Sequence, residues 1–301
     1  SHGSRPERTQ AAIRVAVLNL LGSTLFLVAV GCLYAAAGTL NFADLAERGA
    51  ALPADRLGLW QAGGWLLVVV FALKAAVLPL GFWLPGAYGV ADGAVAALFS
   101  VLTKVGVVAI VRSCTLVFPG LDAGPVLWVA AIGSLALGAS GMLAARRMSM
   151  LAAHAVILSV GVLLVAVAMF TRDALAAAVF YLAHGTFATA ALFLIALRVS
   201  AVRGETGDAL VAGPACRGRL ALPAAYLLAA VAVAGLPPLG GFLAKLAILD
   251  AAIGAEGAAW TFTAVLAASL VAIVALARAG STVFWKVGQE RGEVVEVPRW
   301  R

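Results

Sequence analysis

The residues of this sequence best suited to exchange protons are lysines placed inside apolar segments. The chain has four lysines, and three of them, Lys74, Lys104 and Lys245, interrupt long runs of leucine, valine and alanine. The seventeen arginines lie mainly in polar stretches or near the ends of those runs. A guanidinium stays protonated in proteins, whereas a lysine ammonium taken out of water can release its proton. The three lysines are therefore candidate proton-transfer residues.

No carboxylate accompanies these lysines in the middle of an apolar run. An ammonium at the centre of a membrane helix costs roughly 2.5 to 3.5 kcal/mol on insertion scales. A purely structural lysine extends its ammonium to the membrane surface, which suits helix ends better than helix centres. The missing counter-ions leave two explanations: the lysines are partly neutral, or their partners lie on a segment outside this chain.

Two histidines, His154 and His184, occupy further apolar runs. Imidazole titrates near neutrality and both ring nitrogens can take part in a relay, so each histidine is a candidate proton-transfer residue. The other interpretation is a core histidine that only makes hydrogen bonds. Thr103, Ser159 and Thr186 are candidates for orienting water between these groups, although packing explains each of them almost as well.

The segments that carry these residues are predicted to cross a membrane. Hydrophobic residues make up 63% of the 301 positions, charged residues only 12%, and the mean hydropathy is +1.05. A soluble domain is about a quarter charged, and a helix needs about 20 apolar residues to cross the hydrocarbon layer. We predict an all-α integral membrane fold with about eight transmembrane helices, and a short helix at the membrane surface near 41–48. The predicted spans are 15–37, 64–84, 94–117, 125–145, 148–170, 174–197, 220–249 and 258–284.

Helix-breaking residues occur at membrane depth in two of these spans. Proline removes a backbone donor and glycine lets the chain unwind, so the seventh span is predicted to be two half-helices. Pro237, Pro238 and Gly241 lie in this interruption, and Pro79 marks a milder one in the second span. The two spans are five helices apart and therefore cross in opposite directions. This arrangement predicts an inverted repeat with broken helices, as in many transporters.

The distribution of positive charge orients the chain. Thirteen arginines and lysines fall on one side of the predicted spans and four on the other, and the richer side is expected in the cytoplasm. We predict one membrane domain over 1–301, with a flexible basic loop at 198–219, a polar tail at 286–301, and both termini cytoplasmic. The net charge of +7 comes from short arginine clusters between apolar runs. Such clusters indicate contact with anionic membrane lipid rather than with nucleic acid.

Several motifs together resemble the antiporter-like membrane subunits shared by Mrp-type Na⁺/H⁺ antiporters and respiratory complex I. They cover nearly the whole chain and are specific in combination. They are LKAA at 73–76 with FWLP at 82–85, ALF at 97–99 with TKVG at 103–106, YLAH at 181–184 with ALFL at 191–194, and GLPPLGGF at 235–242 leading to Lys245. Within that family, NLLGS at 19–23, GTLN at 38–41, RAGS at 278–281 and FW at 284–285 are most similar to the D-type subunits of the Mrp antiporters.

The resemblance implies proton transfer along a row formed by Lys74, Lys104, His154 or His184, and Lys245. It also implies a fragment, because the sequence begins with serine and lacks two family helices: an early helix carrying a glutamate partner for Lys74, and a last helix after Trp285. The sequence departs from the family pattern at Gly81, where many members have histidine, at Thr189, where many have lysine, and at Asp92 and Ala94, where prolines are usual.

The leading interpretation is a proton-translocating subunit of a multi-subunit Na⁺/H⁺ antiporter in the bacterial cell (inner) membrane, a transporter subunit rather than an enzyme. Its predicted partners are other membrane subunits, protons, Na⁺ and membrane lipid. Neither a metal nor a cofactor is predicted, because the three cysteines lack metal-ligand spacing and no flavin, quinone or cluster motif is present. The alternative is a proton-pumping membrane-arm subunit of a complex I-like or membrane hydrogenase oxidoreductase. A third interpretation is a structural subunit that holds its neighbours without conducting.

Overall fold

The computed structural model describes residues 6–213 and 220–286, and within these residues the chain forms α-helices and no strands. The helices are α1 (Pro6–Ala37), α2 (Phe42–Ala50), α3 (Ala54–Lys74), α4 (Trp83–Tyr88), α5 (Gly93–Arg112), α6 (Gly124–Ala144), α7 (Met148–Ala168), α8 (Arg172–Arg203), α9 (Ala221–Ala234), α10 (Gly240–Ala251) and α11 (Ala258–Gly280).

Seven helical segments of the described chain are long and apolar enough to cross a bilayer. The shorter apolar helices α9 and α10 follow one another on either side of the predicted interruption of the seventh span. The chain is therefore a multi-pass membrane protein, and the prediction of about eight spans is confirmed. The predicted surface helix is α2, whose first turn is capped by Asn41, since the Asn41 Oδ1 accepts from the Ala43 amide at 2.9 Å.

The predicted bounds of the second span, 64–84, are wrong at both ends, because α3 begins at Ala54 and ends at Lys74. Asp55 and Arg56 lower the hydropathy of the first turns, although a helix end at a membrane surface accepts charged residues. Two other helices also extend beyond their predicted ends. Helix α1 begins at Pro6 rather than near 15, and α8 continues to Arg203 rather than ending near 197.

Both predicted interruptions are present. In the seventh span α9 ends at Ala234, Gly235 adopts a left-handed conformation with φ 75°, and α10 begins at Gly240. In the second span the helix ends before Ala75, four residues ahead of Pro79, because a proline ring clashes with the carbonyl four residues earlier. The Leu78 amide, freed from helical bonding, donates to Ser134 Oγ on α6 at 3.0 Å.

The core surrounds α7, which is buried along nearly its whole length. Glycines let α6 approach it closely: a Cβ on Gly138 would touch the backbone of Leu158, and a Cβ on Gly161 would touch the backbone of Leu135. Helices α5 and α8 pack on other faces of α7, whereas α1 packs mainly on α3 and leaves much of its surface exposed. The centre of the fold is thus a tightly packed helix pair typical of membrane bundles.

The prediction of a flexible loop at 198–219 is wrong for its first six residues, because they complete α8. The segment that follows is held by Arg203, which donates to the Ala209 carbonyl at 2.7 Å and to the Val211 carbonyl at 2.6 Å. Positions 214–219, and positions 287–301 of the predicted tail, lie outside the described residues.

Candidate functional site

Lys245 is held by the broken ends of the interrupted helix. Its side chain lies on α10 and is 6% exposed, and its ammonium donates to the Ala234 carbonyl at 2.8 Å and to Ser269 Oγ at 2.9 Å. The last carbonyls of a helix have no helical partner and carry the negative end of its dipole. Gly235 leaves the room for this contact, because a Cβ there would lie 2.8 Å from the lysine side chain. The break therefore creates the acceptors for the charge.

His184 reaches the same helix end from α8. Its Nε2 lies 3.0 Å from the Ala232 carbonyl, and a carbonyl only accepts, so Nε2 carries the proton in this contact. Gly241 permits the approach, because a Cβ there would collide with the imidazole and with the Ala232 carbonyl. His184 and Lys245 thus converge on the last turn of α9, and the predicted Pro237 and Pro238 lie in the connection beside them.

Lys104 is the most deeply buried of the three lysines. It lies on α5 with 2% of its surface exposed, and its Nζ has no hydrogen-bond partner among the described residues. An unpaired ammonium at such a position is costly, which is a property expected of a group that exchanges its proton. The neighbouring Thr103 hydroxyl donates to the Ser100 carbonyl of its own helix at 3.0 Å. The predicted role of Thr103 in orienting water stays a prediction.

Lys74 is the last residue of α3 and lies at the first break. It is half-buried, and its Nζ donates to Asn19 Oδ1 on α1 at 2.6 Å. The pair lines an open, mostly apolar cavity of about 770 Å³ between α1, α3, α4 and α5. The backbone at position 81 explains why this chain has glycine where many family members have histidine. Any Cβ on Gly81 would collide with the Ala76 carbonyl. A histidine at position 81 would require a different backbone.

His154 shares no hydrogen-bond partner with the other candidates among the described residues. Its Nδ1 is 2.9 Å from the Met150 carbonyl of its own helix, and its ring lies against Gly141 on α6. Among the described residues of the predicted row, only His184 and Lys245 bind the same element, which is the last turn of α9. No carboxylate there pairs with any of the three lysines, in agreement with the sequence.

The sequence analysis missed two partners of these lysines, Asn19 and Ser269. Each is a polar residue within an otherwise apolar run, and this isolation is the one signal that marks them. Asn19 is 55 positions from Lys74, and Ser269 is 24 positions from Lys245. Only the packing of α1 on α3, and of α10 near α11, brings these side chains together.

The chain is similar to known membrane proteins over most of its length. The family model described as "NADH:quinone oxidoreductase/Mrp antiporter, TM" matches residues 1–272. A Rhizobium meliloti (strain 1021) protein, named as the D subunit of a probable K⁺/H⁺ antiporter, is 39% identical over 94% of this chain and 59% of its own length. The D subunit of the Na⁺/H⁺ antiporter of Bacillus subtilis (strain 168) is 33% identical over 99% of this chain and 59% of its own length.

The fold also matches a solved structure. A chain of the membrane-bound sulfane sulfur reductase, an archaeal respiratory membrane complex, superposes with a TM-score of 0.85 at 27% identity, and the match covers 98% of this chain and 60% of that chain. This chain therefore spans about three-fifths of the length of the relatives that it matches.

Proposed function

We propose a proton-transfer function for this chain from one premise: it belongs to the family of NADH:quinone oxidoreductase and Mrp antiporter transmembrane subunits. In this proposal it is a proton-translocating membrane subunit of a multi-subunit monovalent cation/proton antiporter. Protons move along Lys74, Lys104, His184 and Lys245, and His154 is the alternative middle member of the row.

The observation that carries the proposal is the setting of the buried amines. Among the described residues, Lys104 has no hydrogen-bond partner and Lys245 forms hydrogen bonds only to neutral oxygens. Neutral acceptors stabilise an ammonium less than a carboxylate does. An amine held in this way can lose and regain its proton without leaving a buried carboxylate unpaired.

The coupled cation is proposed to be Na⁺, with K⁺ as the competing outcome. The relatives support a monovalent cation, since one is named for K⁺ and the other for Na⁺. Other membrane subunits are the proposed partners, because both relatives are named as subunits. The proposed location is the bacterial cell membrane, inner where the cell has two, with the arginine-rich end and both termini in the cytoplasm.

A second candidate function is a proton-pumping module of a redox-driven membrane complex. The match to the archaeal respiratory complex favours it, as does the family description. The subunits that co-purify with this chain separate the two candidates. Flavin or iron–sulfur subunits would indicate the redox-driven complex, whereas small membrane subunits alone would indicate the antiporter.

The decisive experiment measures proton flux driven by a pH gradient in vesicles that contain the full-length protein in its native complex. Lys104→Met and Lys245→Met remove the exchangeable proton but keep an unbranched apolar side chain. We expect flux to fall on the order of tenfold or more in each. Lys286→Met is the matched control, because Lys286 is exposed beyond the last helical turn.

Repeating the assay in Na⁺ and in K⁺ identifies the coupled cation. Flux at the wild-type level in Lys104→Met, Lys245→Met and Lys74→Ala would overturn the proposal and leave the structural subunit as the function of this chain.

A further inference from the structure

The two helix breaks present equivalent carbonyl groups. Ala76 after α3 and Gly235 after α9 each adopt a left-handed conformation, with φ of 56° and 75°. Each donates its backbone amide to the carbonyl three residues earlier, at 3.2 Å in both breaks. That carbonyl belongs to Leu73 in the first break and to Ala232 in the second. Because a carbonyl oxygen has two lone pairs, each of these groups can accept one further hydrogen bond.

In both breaks the further hydrogen bond comes from the ring nitrogen of a side chain. The donor to the Ala232 carbonyl is His184. The donor to the Leu73 carbonyl is Trp83, whose Nε1 lies 3.2 Å from the oxygen. An indole nitrogen is a donor only, whereas an imidazole gains and loses a proton near neutrality. The first break is therefore held by a group whose protonation does not change.

Trp83 is itself held in place from α5. Its ring packs edge-on against Tyr88, with ring centroids 5.9 Å apart and an angle of 81° between the planes. Tyr88 is 3% exposed, and its hydroxyl donates to the Phe99 carbonyl of α5 at 2.9 Å. A side chain that is fixed by packing and by hydrogen bonds behind it holds its own contacts closely. The indole thus connects the end of α3 to α5, the helix that carries Lys104.

Lys74 is the residue that this connection supports. The Leu73 carbonyl belongs to the planar peptide unit that joins Leu73 to Lys74, so the orientation of this unit sets the direction in which the Lys74 side chain leaves the backbone. Lys74, Asn19 and Trp83 line the same open cavity of about 770 Å³. Because the cavity leaves the Lys74 side chain room to move, its contact with Asn19 Oδ1 depends on the backbone behind it.

We propose that Trp83 is a positioning residue for Lys74. Its indole N–H holds the Leu73 carbonyl and thereby keeps the Lys74 ammonium at Asn19. The inference rests on the proposed function and adds to it one residue and its role. Trp83 exchanges no proton of its own. It fixes the end of α3, so that the proton exchanged at Lys74 enters and leaves at a constant place in the bundle.

The test measures proton flux in the native complex for two substitutions of Trp83. Trp83→Phe keeps an aromatic ring but removes the N–H group, and we expect flux to fall on the order of fivefold, the usual effect of losing one hydrogen bond. Trp83→His returns a donor, because the Nε2 of histidine occupies the place of the indole Nε1 on the five-membered ring. At a pH where the imidazole is neutral, Trp83→His should recover most of the lost flux.

Trp128→Phe is the matched control. It also removes an indole hydrogen bond, since Trp128 Nε1 donates to Thr261 Oγ1 at 3.0 Å, but this bond joins α6 to α11. Flux should therefore stay at the wild-type level.

A double substitution separates positioning from a merely structural role. If Trp83 acts through the contact between Lys74 and Asn19, Trp83→Phe should cause no further loss of flux in an Asn19→Leu background. A structural role would add its full loss to that of Asn19→Leu.

Four results would overturn the positioning role: wild-type flux in Trp83→Phe, no recovery in Trp83→His, an equal loss in Trp128→Phe, or a fully additive loss in the Asn19→Leu background. Loss of flux in Lys104→Met and Lys245→Met would then leave the proposed function standing. Wild-type flux in those two variants and in Lys74→Ala would overturn both. If Trp83→Phe prevents assembly, Trp83→His decides the question, because loss of flux in that assembled variant would overturn the role.

Discussion

At the scale of single residues, the three intramembrane lysines differ in what holds their ammonium groups. Lys104 has no partner among the described residues, Lys74 has an amide oxygen, and Lys245 has two carbonyls and a hydroxyl. The site thus combines one unpaired amine with two that are bound by neutral acceptors. The three environments therefore stabilise the lysine ammonium to different degrees. A row of lysine–carboxylate ion pairs would stabilise each ammonium in the same way.

Gly241 controls how closely His184 approaches the end of α9. Gly241→Ala forces the imidazole and the Ala232 carbonyl apart, since a Cβ there would collide with both. We expect the free energy of unfolding to fall by about 1 to 3 kcal/mol, the usual cost of overpacking. Thermal unfolding of the detergent-solubilised protein measures this change.

Gly58→Ala is the control for that measurement. Gly58 lies in α3 with open space around its missing side chain, so alanine should stabilise the helix by roughly 0.5 to 1 kcal/mol. Equal effects of the two substitutions would show that the contact between His184 and α9 contributes nothing to stability.

At the scale of elements, the sequence located the helices and their interruptions better than it located contacts between them. The double proline and flanking glycines predicted the break between α9 and α10, because each residue acts on its own backbone. The start of α3 was predicted ten residues too late, because polar residues such as Asp55 and Arg56 occupy its first turns and the apolar run begins only after them. Asn19 and Ser269 were not predicted as lysine partners, because helix register across the bundle is not a local property.

Asp208 fastens the segment after α8 to the start of α7. It is 3% exposed, its Oδ2 accepts from the Ser149 amide at 2.9 Å, and its Oδ1 pairs with Arg147 at 2.8 Å. The Arg147 side chain is 46% exposed, so the ion pair adds little and the cap of α7 dominates. We expect Asp208→Ala to lower the free energy of unfolding by about 1 to 2 kcal/mol.

Three variants test this assignment by thermal unfolding. Arg147→Ala should cost less than Asp208→Ala, because it leaves the helix cap intact. Asp55→Ala is the matched control, since Asp55 is an exposed carboxylate in the first turn of α3. A larger loss in Arg147→Ala than in Asp208→Ala would contradict the assignment.

At the scale of the whole molecule, contacts of four arginines among the described residues mark the two ends of the bundle. Arg147 pairs with Asp208, and Arg278 donates to the Ala145 carbonyl at 2.9 Å, so these arginines and the segment after α8 share one end. Arg48 and Arg56 donate to carbonyls of the last turn of α1 at the other end. These contacts identify the two ends that the charge asymmetry of the sequence distinguishes, and that asymmetry predicts the orientation of the protein.

Cysteine labelling tests that orientation directly. In a background with the native cysteines replaced by serine, Val211→Cys marks the arginine-rich end and Gly120→Cys marks the opposite end, and both positions are exposed. Because the arginine-rich end is expected in the cytoplasm, a membrane-impermeant maleimide applied to right-side-out vesicles should modify Gly120→Cys only. After permeabilisation it should modify both, which controls for reactivity. Labelling of Val211→Cys in sealed vesicles, with Gly120→Cys protected, would contradict the predicted orientation. It would show that the arginine-rich end faces the outside of the cell.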